Sequence, residues 1–255
     1  MHFELQIWVF CSNFARFLAQ MSITRLFNKA CAEYGLIANG DHILVGLSGG
    51  KDSLALIQLL GERSRIYVPH FRVTALHVRM KEVHYESDTD YLRSFCNQWD
   101  IPLIVKQTSI GEMRGDKTPC FLCSWYRRKA LFDTAQELGC NKIALGHHKD
   151  DIVETLLMNL IYEGTFGTNP PKLKMDKMPI ELIRPLCLIP ELALTAYAQE
   201  QGYLTQTKTC PFEHASARNE IKALVRQLEG LNPNVRESVW NAMMNVKTAY
   251  LPVRV

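Results

Sequence analysis

A short polar, glycine-rich run contains residue types that suit the binding of a phosphate group. The run consists of Ser48, Gly49, Gly50, Lys51, Asp52 and Ser53. Its two glycines allow a sharp turn and let the backbone approach an anion without an obstructing Cβ atom. If a helix follows, the unpaired N–H groups of its first turn attract negative charge, and Lys51 and the serine hydroxyls add donors. This run is termed the phosphate loop, although a tight turn capped by a serine would use the same residue types.

The spacing of the phosphate loop separates it from two better-known phosphate-binding motifs. A Walker loop needs four residues between its first glycine and its Gly-Lys-Ser/Thr end, and the dinucleotide signature is Gly-x-Gly-x-x-Gly. The sequence Ser48–Ser53 instead resembles the signature of the ATP pyrophosphatases, the PP-loop superfamily. That resemblance implies that the loop holds the pyrophosphate of ATP while the α-phosphorus is attacked and AMP is transferred.

A second polar run, termed the acidic segment, consists of Gly146, His147, His148, Lys149, Asp150 and Asp151. It follows a predicted strand and precedes a predicted helix, a position at which open α/β sheets bind ligands. Asp150 and Asp151 would repel a bound phosphate unless a cation intervened, so the pattern predicts Mg²⁺, with Asp52 contributing to the same ion. Capping of the following helix is the alternative role for either aspartate. Gly146 and Asp151 are expected to contact the nucleotide, and the two histidines are assigned no acid–base role.

Three of the eight cysteines stand apart from predicted core segments. Cys120 and Cys123 form a CxxC pair in a predicted loop before a helix, and Cys210 precedes a proline at a predicted element boundary. A CxxC pair can be half of a zinc site, a redox disulfide or an iron–sulfur ligand pair. Three cysteines fit a cluster with one iron open to another ligand, and they also fit zinc completed by Glu213 or His214. The apolar surroundings of four others predict core positions: Cys31, Cys96, Cys140 and Cys187.

The candidate sites fall between alternating predicted strands and helices, which favours a doubly wound parallel α/β sheet with a helical C-terminal extension. His77 ends the second predicted strand and is expected to border the adenine pocket through its backbone. We predict a domain over 21–185 and a helical region over 186–255 that carries Cys210. Residues 1–20 are either an upstream leader before a natural start at Met21 or a surface helix. The basic stretch Lys172–Lys177 is expected to be an ordered functional loop.

The overall composition sets only broad limits on function. The chain has 255 residues, of which 47% are hydrophobic and 22% charged, and its formal net charge is +3. That balance permits a polyanionic partner without requiring one. The sequence has no apolar run near the roughly 20 residues that cross a bilayer and no export signal, so we expect a cytoplasmic protein with reduced thiols.

Further motifs extend the resemblance to the tRNA 2-thiocytidine synthetases, which thiolate a cytidine in the tRNA anticodon loop. The shared segments are PCxxCSxxRR at 119–128, IALGHHxDD at 143–151, PPKL at 170–173, IRPL at 183–186 and AMxNV at 242–246. The resemblance implies Mg·ATP, a cytoplasmic and often dimeric enzyme, and a 4Fe–4S cluster on Cys120, Cys123 and Cys210. Glu213 departs from the second CxxC-like pair that the family often has. The chain also lacks the additional zinc cysteines of the 2-thiouridine enzymes, which argues against that branch.

The resulting hypothesis has ATP adenylate a pyrimidine carbonyl oxygen, after which sulfur replaces it. Lys51, Asp52 and the three cysteines are the expected catalytic residues, and Arg127 is expected to reach the α-phosphate. Arg128, Lys129 and the Lys172–Lys177 loop are candidates for contact with tRNA phosphates. A sulfur donor such as a cysteine desulfurase and a homodimer are the expected partners. The alternatives are another PP-loop ligase or amidotransferase acting on tRNA or a nucleotide, and a non-catalytic RNA-binding or zinc-binding module.

Overall fold

A computed structural model describes residues 22–66, 68–82, 84–86, 88–110, 118–209 and 217–252. The predicted leader at 1–20 lies outside the described residues, as do Cys210, Glu213 and His214. The chain divides into two compact units, the first made of residues 1–149 and 170–213 and the second of 150–169 and 214–255. The predicted domain boundary at 185 stays a prediction.

The first unit contains a six-stranded sheet in the order β4-β2-β1-β5-β7-β6. Its strands are β1 (His42–Gly46), β2 (Arg72–Met80), β4 (Leu103–Thr108), β5 (Lys142–Ala144), β6 (Lys172–Lys174) and β7 (Glu181–Ile183). Every pairing is parallel except that of β6 with β7, which is antiparallel. The predicted doubly wound α/β fold is therefore confirmed, with one antiparallel strand at the edge. A separate two-stranded sheet pairs β3 (His84–Glu86) with β8 (Thr207–Thr209).

The central strand explains why the sheet forms here. Ile43, Leu44 and Val45 of β1 are completely buried, as expected for a strand covered by helices on both faces. In register, Leu44 lies between Thr74 of β2 and Ile143 of β5. Because β1 and β5 are parallel neighbours, their carboxyl ends reach the same edge of the sheet, where the phosphate loop and the start of the acidic segment follow them.

Five helices accompany the sheet in the described part of the first unit. They are α1 (22–33), α2 (Lys51–Ser64), α3 (Thr89–Asn97), α4 (Pro119–Glu137) and α6 (Glu191–Glu200). Helix α2 is the most deeply buried, with continuous burial from Ser53 to Gly61. The phosphate loop thus leads directly into a helix that is fixed against the core.

The prediction of a loop around the CxxC pair was wrong, because α4 already begins at Pro119. Thr118 caps this helix by accepting a hydrogen bond from the Phe121 N–H at 3.4 Å, and Pro119 occupies the first turn. Proline suits that position, since its fixed φ is helical and its missing N–H would have no partner there. Cys120 and Cys123 therefore lie on the first turns of a helix, and a spacing of three residues puts them on one face.

The regular elements in the described part of the second unit are all helical. They are α5 (Lys149–Met158), a π-helical turn (Asn159–Glu163), α7 (Ala217–Leu231), α8 (Val235–Met244) and a short 3-10 turn (Thr248–Tyr250). The first residue of α5, Lys149, belongs to the first unit. The Tyr162 hydroxyl donates to Glu220 of α7 at 2.8 Å, which fixes the π-helical turn to that helix. Across both units, no helix among the described residues is long and apolar enough to cross a membrane.

Candidate active site

The hydroxyl groups of the phosphate loop hold its backbone in shape. Ser53 Oγ donates to the Gly50 carbonyl at 2.9 Å and accepts from the Gly49 N–H at 3.1 Å. Ser48 Oγ lies 3.1 Å from Ser53 Oγ and accepts from the Gly50 N–H at 3.3 Å. In these contacts the two serines therefore act on the loop itself, because their hydroxyl groups bond to each other and to Gly49 and Gly50.

The first turn of α2 is open to an anion. Its N-cap residue is Gly50, which has no side chain to cap the N–H groups that follow. Gly146 of the acidic segment approaches the same turn, because a Cβ atom there would lie 3.3 Å from the carbonyl carbon of Asp52 and from the Ser53 nitrogen. The two motifs thus meet at the start of α2, where a Cβ atom at position 146 would be in tight contact with the backbone.

A cluster of charged side chains surrounds the beginning of α2. The Lys51 ammonium lies 3.1 Å from Asp52 Oδ1 and 3.4 Å from Glu191 Oε1, and His148 Nε2 is 3.8 Å from the same Glu191 oxygen. Burial acts to lower the pKa of Lys51, but Asp52 and Glu191 outweigh it and leave that pKa raised. Lys51 is therefore held as a cation beside the open helix terminus. The contact of Glu191 with Lys51 was not predicted. Glu191 lies in the first turn of α6, and no sequence motif marks it as part of the site.

His77 supports the loop from the neighbouring strand. Its Nδ1 atom lies 2.8 Å from the Leu47 carbonyl oxygen, immediately before the phosphate loop. Burial lowers the pKa of His77, the bond to Leu47 acts against that shift, and the charges of Arg79 and Arg127 add to it. A neutral imidazole facing a carbonyl must carry its proton on Nδ1, so His77 donates this hydrogen bond. The predicted contact of His77 with adenine stays a prediction.

A buried arginine connects three of the motifs that carried the family resemblance. Arg184 donates from a guanidinium nitrogen to the Pro170 carbonyl at 2.6 Å and from Nε to His147 Nδ1 at 3.2 Å. Its backbone N–H also donates to the Pro171 carbonyl at 2.8 Å. Burial lowers the pKa of Arg184. The IRPL, PPKL and acidic segments are thus joined around one side chain.

In the second unit, both aspartates of the acidic segment pair with arginines far along the chain. Asp150 pairs with Arg236 of α8, and Asp151 Oδ1 lies 3.0 Å from Arg218 of α7. Arg236 also donates to Glu229 of α7 at 2.7 Å. Burial acts to lower the pKa of Arg236, but its partners Glu229 and Asp150 outweigh burial and raise it. Sequence reasoning missed both arginines, because nothing local distinguishes them from other basic residues on amphipathic helices.

The described cysteines form two groups. Four are buried, as predicted: Cys31, Cys96, Cys140 and Cys187. Burial raises the pKa of Cys31, Cys96 and Cys187 to about 12, so these thiols stay protonated and unreactive.

Cys120 and Cys123 differ from these four in their exposure. Cys120 is exposed, and the partly buried Cys123 packs against Met80 and Ile110. Two thiols on one face of a helix start, reachable from outside the core, suit the ligation of a soft metal centre. The donor set thus fits the implied iron–sulfur group, whose third proposed ligand, Cys210, lies outside the described residues.

The predicted Mg²⁺ ligands have suitable chemistry, because carboxylate oxygens are the ligands that this ion prefers. Within the described ranges, however, no group of three or more His, Cys, Asp or Glu residues is arranged to hold a metal ion. Asp52 lies against Lys51, while Asp150 and Asp151 have arginine partners. The assignment of Mg²⁺ to these aspartates stays a prediction.

Comparison with known proteins agrees with the geometry. A model of the PP-loop domain family matches residues 18–228. The tRNA-cytidine(32) 2-sulfurtransferase of Polynucleobacter asymbioticus is 34% identical over 240 residues, which cover 91% of this chain and 78% of that protein. The protein of the same name from Paraburkholderia phytofirmans is 37% identical over 236 residues, covering 90% and 69%.

A solved structure shares the fold. It is the U34-tRNA thiolase NcsA from Methanococcus maripaludis with its [4Fe-4S] cluster, which superposes with a TM-score of 0.77 at 24% identity. The match covers 94% of this chain and 82% of that one. On the sequence matches, the chain belongs to the PP-loop family and, within it, to the tRNA-cytidine(32) 2-sulfurtransferases.

Proposed function

We propose that this protein is an ATP-dependent tRNA sulfurtransferase that replaces a cytidine carbonyl oxygen with sulfur and releases AMP and pyrophosphate. The observation that carries the proposal is the open N-terminus of α2 at the carboxyl end of β1, with Lys51 held as a cation beside it. Membership of the tRNA-cytidine(32) 2-sulfurtransferase family supports the choice of tRNA as substrate and of thiolation as the reaction.

In the first half-reaction, the cytidine carbonyl oxygen attacks the α-phosphorus of ATP and pyrophosphate leaves. The first-turn N–H groups of α2 and the Lys51 ammonium stabilise the negative charge that grows on the leaving phosphates. Arg127 on α4 is the proposed contact of the α-phosphate. Its positive charge contributes to the lowered pKa of His77 on β2. Asp52, Asp150 and Asp151 are the proposed Mg²⁺ ligands, by the chemistry of their carboxylates.

In the second half-reaction, a sulfur nucleophile adds to the same carbon, and AMP leaves with the original oxygen. Cys120, Cys123 and Cys210 are the proposed ligands of a 4Fe–4S cluster. When bound, such a cluster supplies an iron that lacks a protein ligand and can therefore hold sulfide. The contribution of the chain is to present Cys120 and Cys123 on one face at the start of α4, where Cys123 packs on Met80 and Ile110.

The remaining partners are proposed from surface charge and family membership. Arg128 and Lys129 are exposed on α4, and Lys172 and Lys174 are exposed on β6, so these side chains are the proposed contacts of tRNA phosphates. A sulfur donor such as a cysteine desulfurase, a homodimer and a cytoplasmic location complete the proposal.

The test is a thiolation assay on anaerobically purified protein supplied with Mg·ATP, sulfide and unmodified tRNA. We expect iron and acid-labile sulfide in the protein, pyrophosphate release that depends on tRNA, and a thiolated cytidine on nucleoside mass spectrometry. Cys123→Ala should lose the iron absorbance near 400 nm and the product. The matched control Cys96→Ala removes a buried core thiol and should keep both.

Two results would overturn the proposal. An iron-free protein that releases pyrophosphate with tRNA or a nucleotide and adds an amine or amino acid would instead be another PP-loop ligase. A protein that binds tRNA or zinc but never consumes ATP would be a binding module.

A further inference from the structure

Gly49 of the phosphate loop is in contact with a distant part of the chain. Its φ angle is +85°, and a Cβ atom added there would lie 2.5 Å from Cγ and 2.8 Å from Cβ of Gln206. Both distances are far inside van der Waals contact. The space that glycine leaves open in this loop is therefore already filled by Gln206.

Hydrogen bonds hold Gln206 in that position from both its backbone and its side chain. Its N–H donates to the Gly49 carbonyl at 2.9 Å. Its side-chain Oε1 accepts from the Asp88 N–H at 2.5 Å, and its Nε2 donates to the Leu204 carbonyl at 3.0 Å. A glutamine with both ends of its amide bonded is a rigid link, because little rotamer freedom remains.

The segment around Gln206 is fixed to the same end of the first unit by further contacts. The Leu204 N–H donates to the Tyr91 hydroxyl at 3.0 Å, and the Tyr203 ring packs edge-on against Phe95 at 5.4 Å between centroids. Immediately after Gln206, β8 pairs antiparallel with β3. The chain from 203 to 209 is thus attached to α3 and β3 as well as to the phosphate loop.

Only four peptide units separate Gln206 from Cys210, a reach of about 14 Å. We propose that Gln206 is a positioning residue that couples the phosphate loop to the cysteine ligands, so that nucleotide at the loop and iron at the cysteines stabilise each other's binding. The inference rests on the proposed function, since it requires both ATP and an iron–sulfur group. By thermodynamic linkage, the factor by which bound ATP raises the affinity for iron must equal the factor by which bound iron raises the affinity for ATP.

The test measures iron loss and ATP affinity in the cluster-loaded protein, without an activity assay. A ferrous chelator removes iron while absorbance near 400 nm is followed, with and without ATP. In the unaltered protein we expect ATP to slow the loss about five-fold or more. Gln206→Gly empties the space against Gly49. It should bring the ratio of the iron-loss rates without and with ATP close to one. Gln206→Met keeps a side chain of similar length without the two amide hydrogen bonds, and it should give an intermediate ratio.

A double-mutant cycle tests the contact directly. Gly49→Ala should weaken ATP binding, and adding Gln206→Gly should recover part of the loss because the new methyl group then has room. The matched control is Gly40→Ala, where φ is +84° and nothing lies within 4 Å of an added Cβ atom. That control also puts an alanine at a positive φ, and it should leave ATP affinity and iron loss unchanged.

The outcomes separate this inference from the proposed function. If the loaded protein loses iron at the same rate with and without ATP, or if Gln206→Gly keeps the full effect of ATP, the coupling is overturned while the thiolation proposal stands. If the unaltered protein binds ATP but holds no iron under anaerobic conditions, the thiolation proposal fails and the coupling fails with it.

Discussion

The phosphate loop and the acidic segment look alike in sequence but are held in different ways. The hydroxyl network of the phosphate loop involves residues at most five apart, between Ser48 and Ser53. The aspartates of the acidic segment pair with side chains 67 and 86 residues away, on α7 and α8. The hydroxyl bonds of the first motif are therefore local, while the charge balance of the second depends on distant helices.

Local and long-range contacts differ in whether the sequence reveals them. The hydroxyl bonds of the phosphate loop join residues that are close in sequence, so its spacing can be recognised without knowledge of the fold. An acidic pair has no such local constraint, because its carboxylates take whichever cations the fold supplies. In the second unit those cations are arginines, and a metal ion would have to compete with them or be added beside them.

The largest expected effect concerns Lys51, the cation of the locally built motif. Lys51→Ala should lower tRNA-dependent pyrophosphate release by about 100-fold or more, as the loss of one preorganised donor to a developing charge does elsewhere. Lys51→Arg keeps the charge and should keep part of the rate. The measurement is pyrophosphate release under saturating ATP.

The control for Lys51→Ala is its thermal unfolding, which should stay close to that of the unaltered protein. Full activity in Lys51→Ala would show that the loop is not the phosphate site.

The next effect concerns the better buried ion pair of the second unit. Arg236→Met should destabilise this unit by about 3 kcal/mol, since it leaves the buried Asp150 carboxylate without its partner and removes the link to Glu229. The measurement is urea unfolding, monitored by hydrogen exchange of the backbone amides of α7 and α8. An unchanged midpoint would remove this pair from the account of how the acidic segment is held.

Arg218→Met breaks the corresponding ion pair with Asp151, and we expect it to cost less stability than Arg236→Met. The Arg218 and Asp151 side chains are 38% and 13% exposed, against 28% and 8% for Arg236 and Asp150. Solvent screens the more exposed pair, so we expect a loss of about 1 kcal/mol in the same urea experiment. A loss larger than that of Arg236→Met would reverse the ranking of the two pairs.

The smallest expected effect is a pH dependence of folding stability. It tests the contribution of His77, which lies on β2 and bonds to the Leu47 carbonyl immediately before the phosphate loop. Because burial lowers the folded-state pKa of His77 below 6.5, the unfolded chain takes up a proton first as pH falls. The His77 contribution to stability is therefore complete above pH 6.5 and is lost as pH falls from there toward the folded pKa. The slope is at most about 1.4 kcal/mol per pH unit.

His77→Asn keeps a donor for the Leu47 carbonyl without titrating, so it should flatten this part of the stability profile. Unfolding between pH 5 and 7.5 measures it. His42 also has a pKa lowered by burial and will supply the residual slope. Identical profiles for the two proteins would mean that His77 does not titrate in this window.

Apolar periodicity and turn residues in the sequence predict much of the first unit. The β1 strand, the loop after it and α2 were predicted in order, and Cys31 and Cys187 were predicted to lie in the core. The start of α4 was mistaken because a CxxC pair after proline is typical of a loop. The capping bond from Thr118, which depends only on local geometry, decides for a helix instead. The pairing of β3 with β8 was missed, since two three-residue strands leave almost no pattern.

The sequence alone shows which chemical groups are neighbours along the chain: those of the phosphate loop, those of the CxxC pair and the alternating strands and helices between which the phosphate loop lies. Hydrogen bonds and periodicities of a few residues are local, so they are visible in one dimension. Three other features appear only when the chain is folded: Glu191 lies beside Lys51, Gln206 fills the space at Gly49, and arginines pair with Asp150 and Asp151. These contacts join residues 67 to 157 positions apart, where chain folding alone sets the distance.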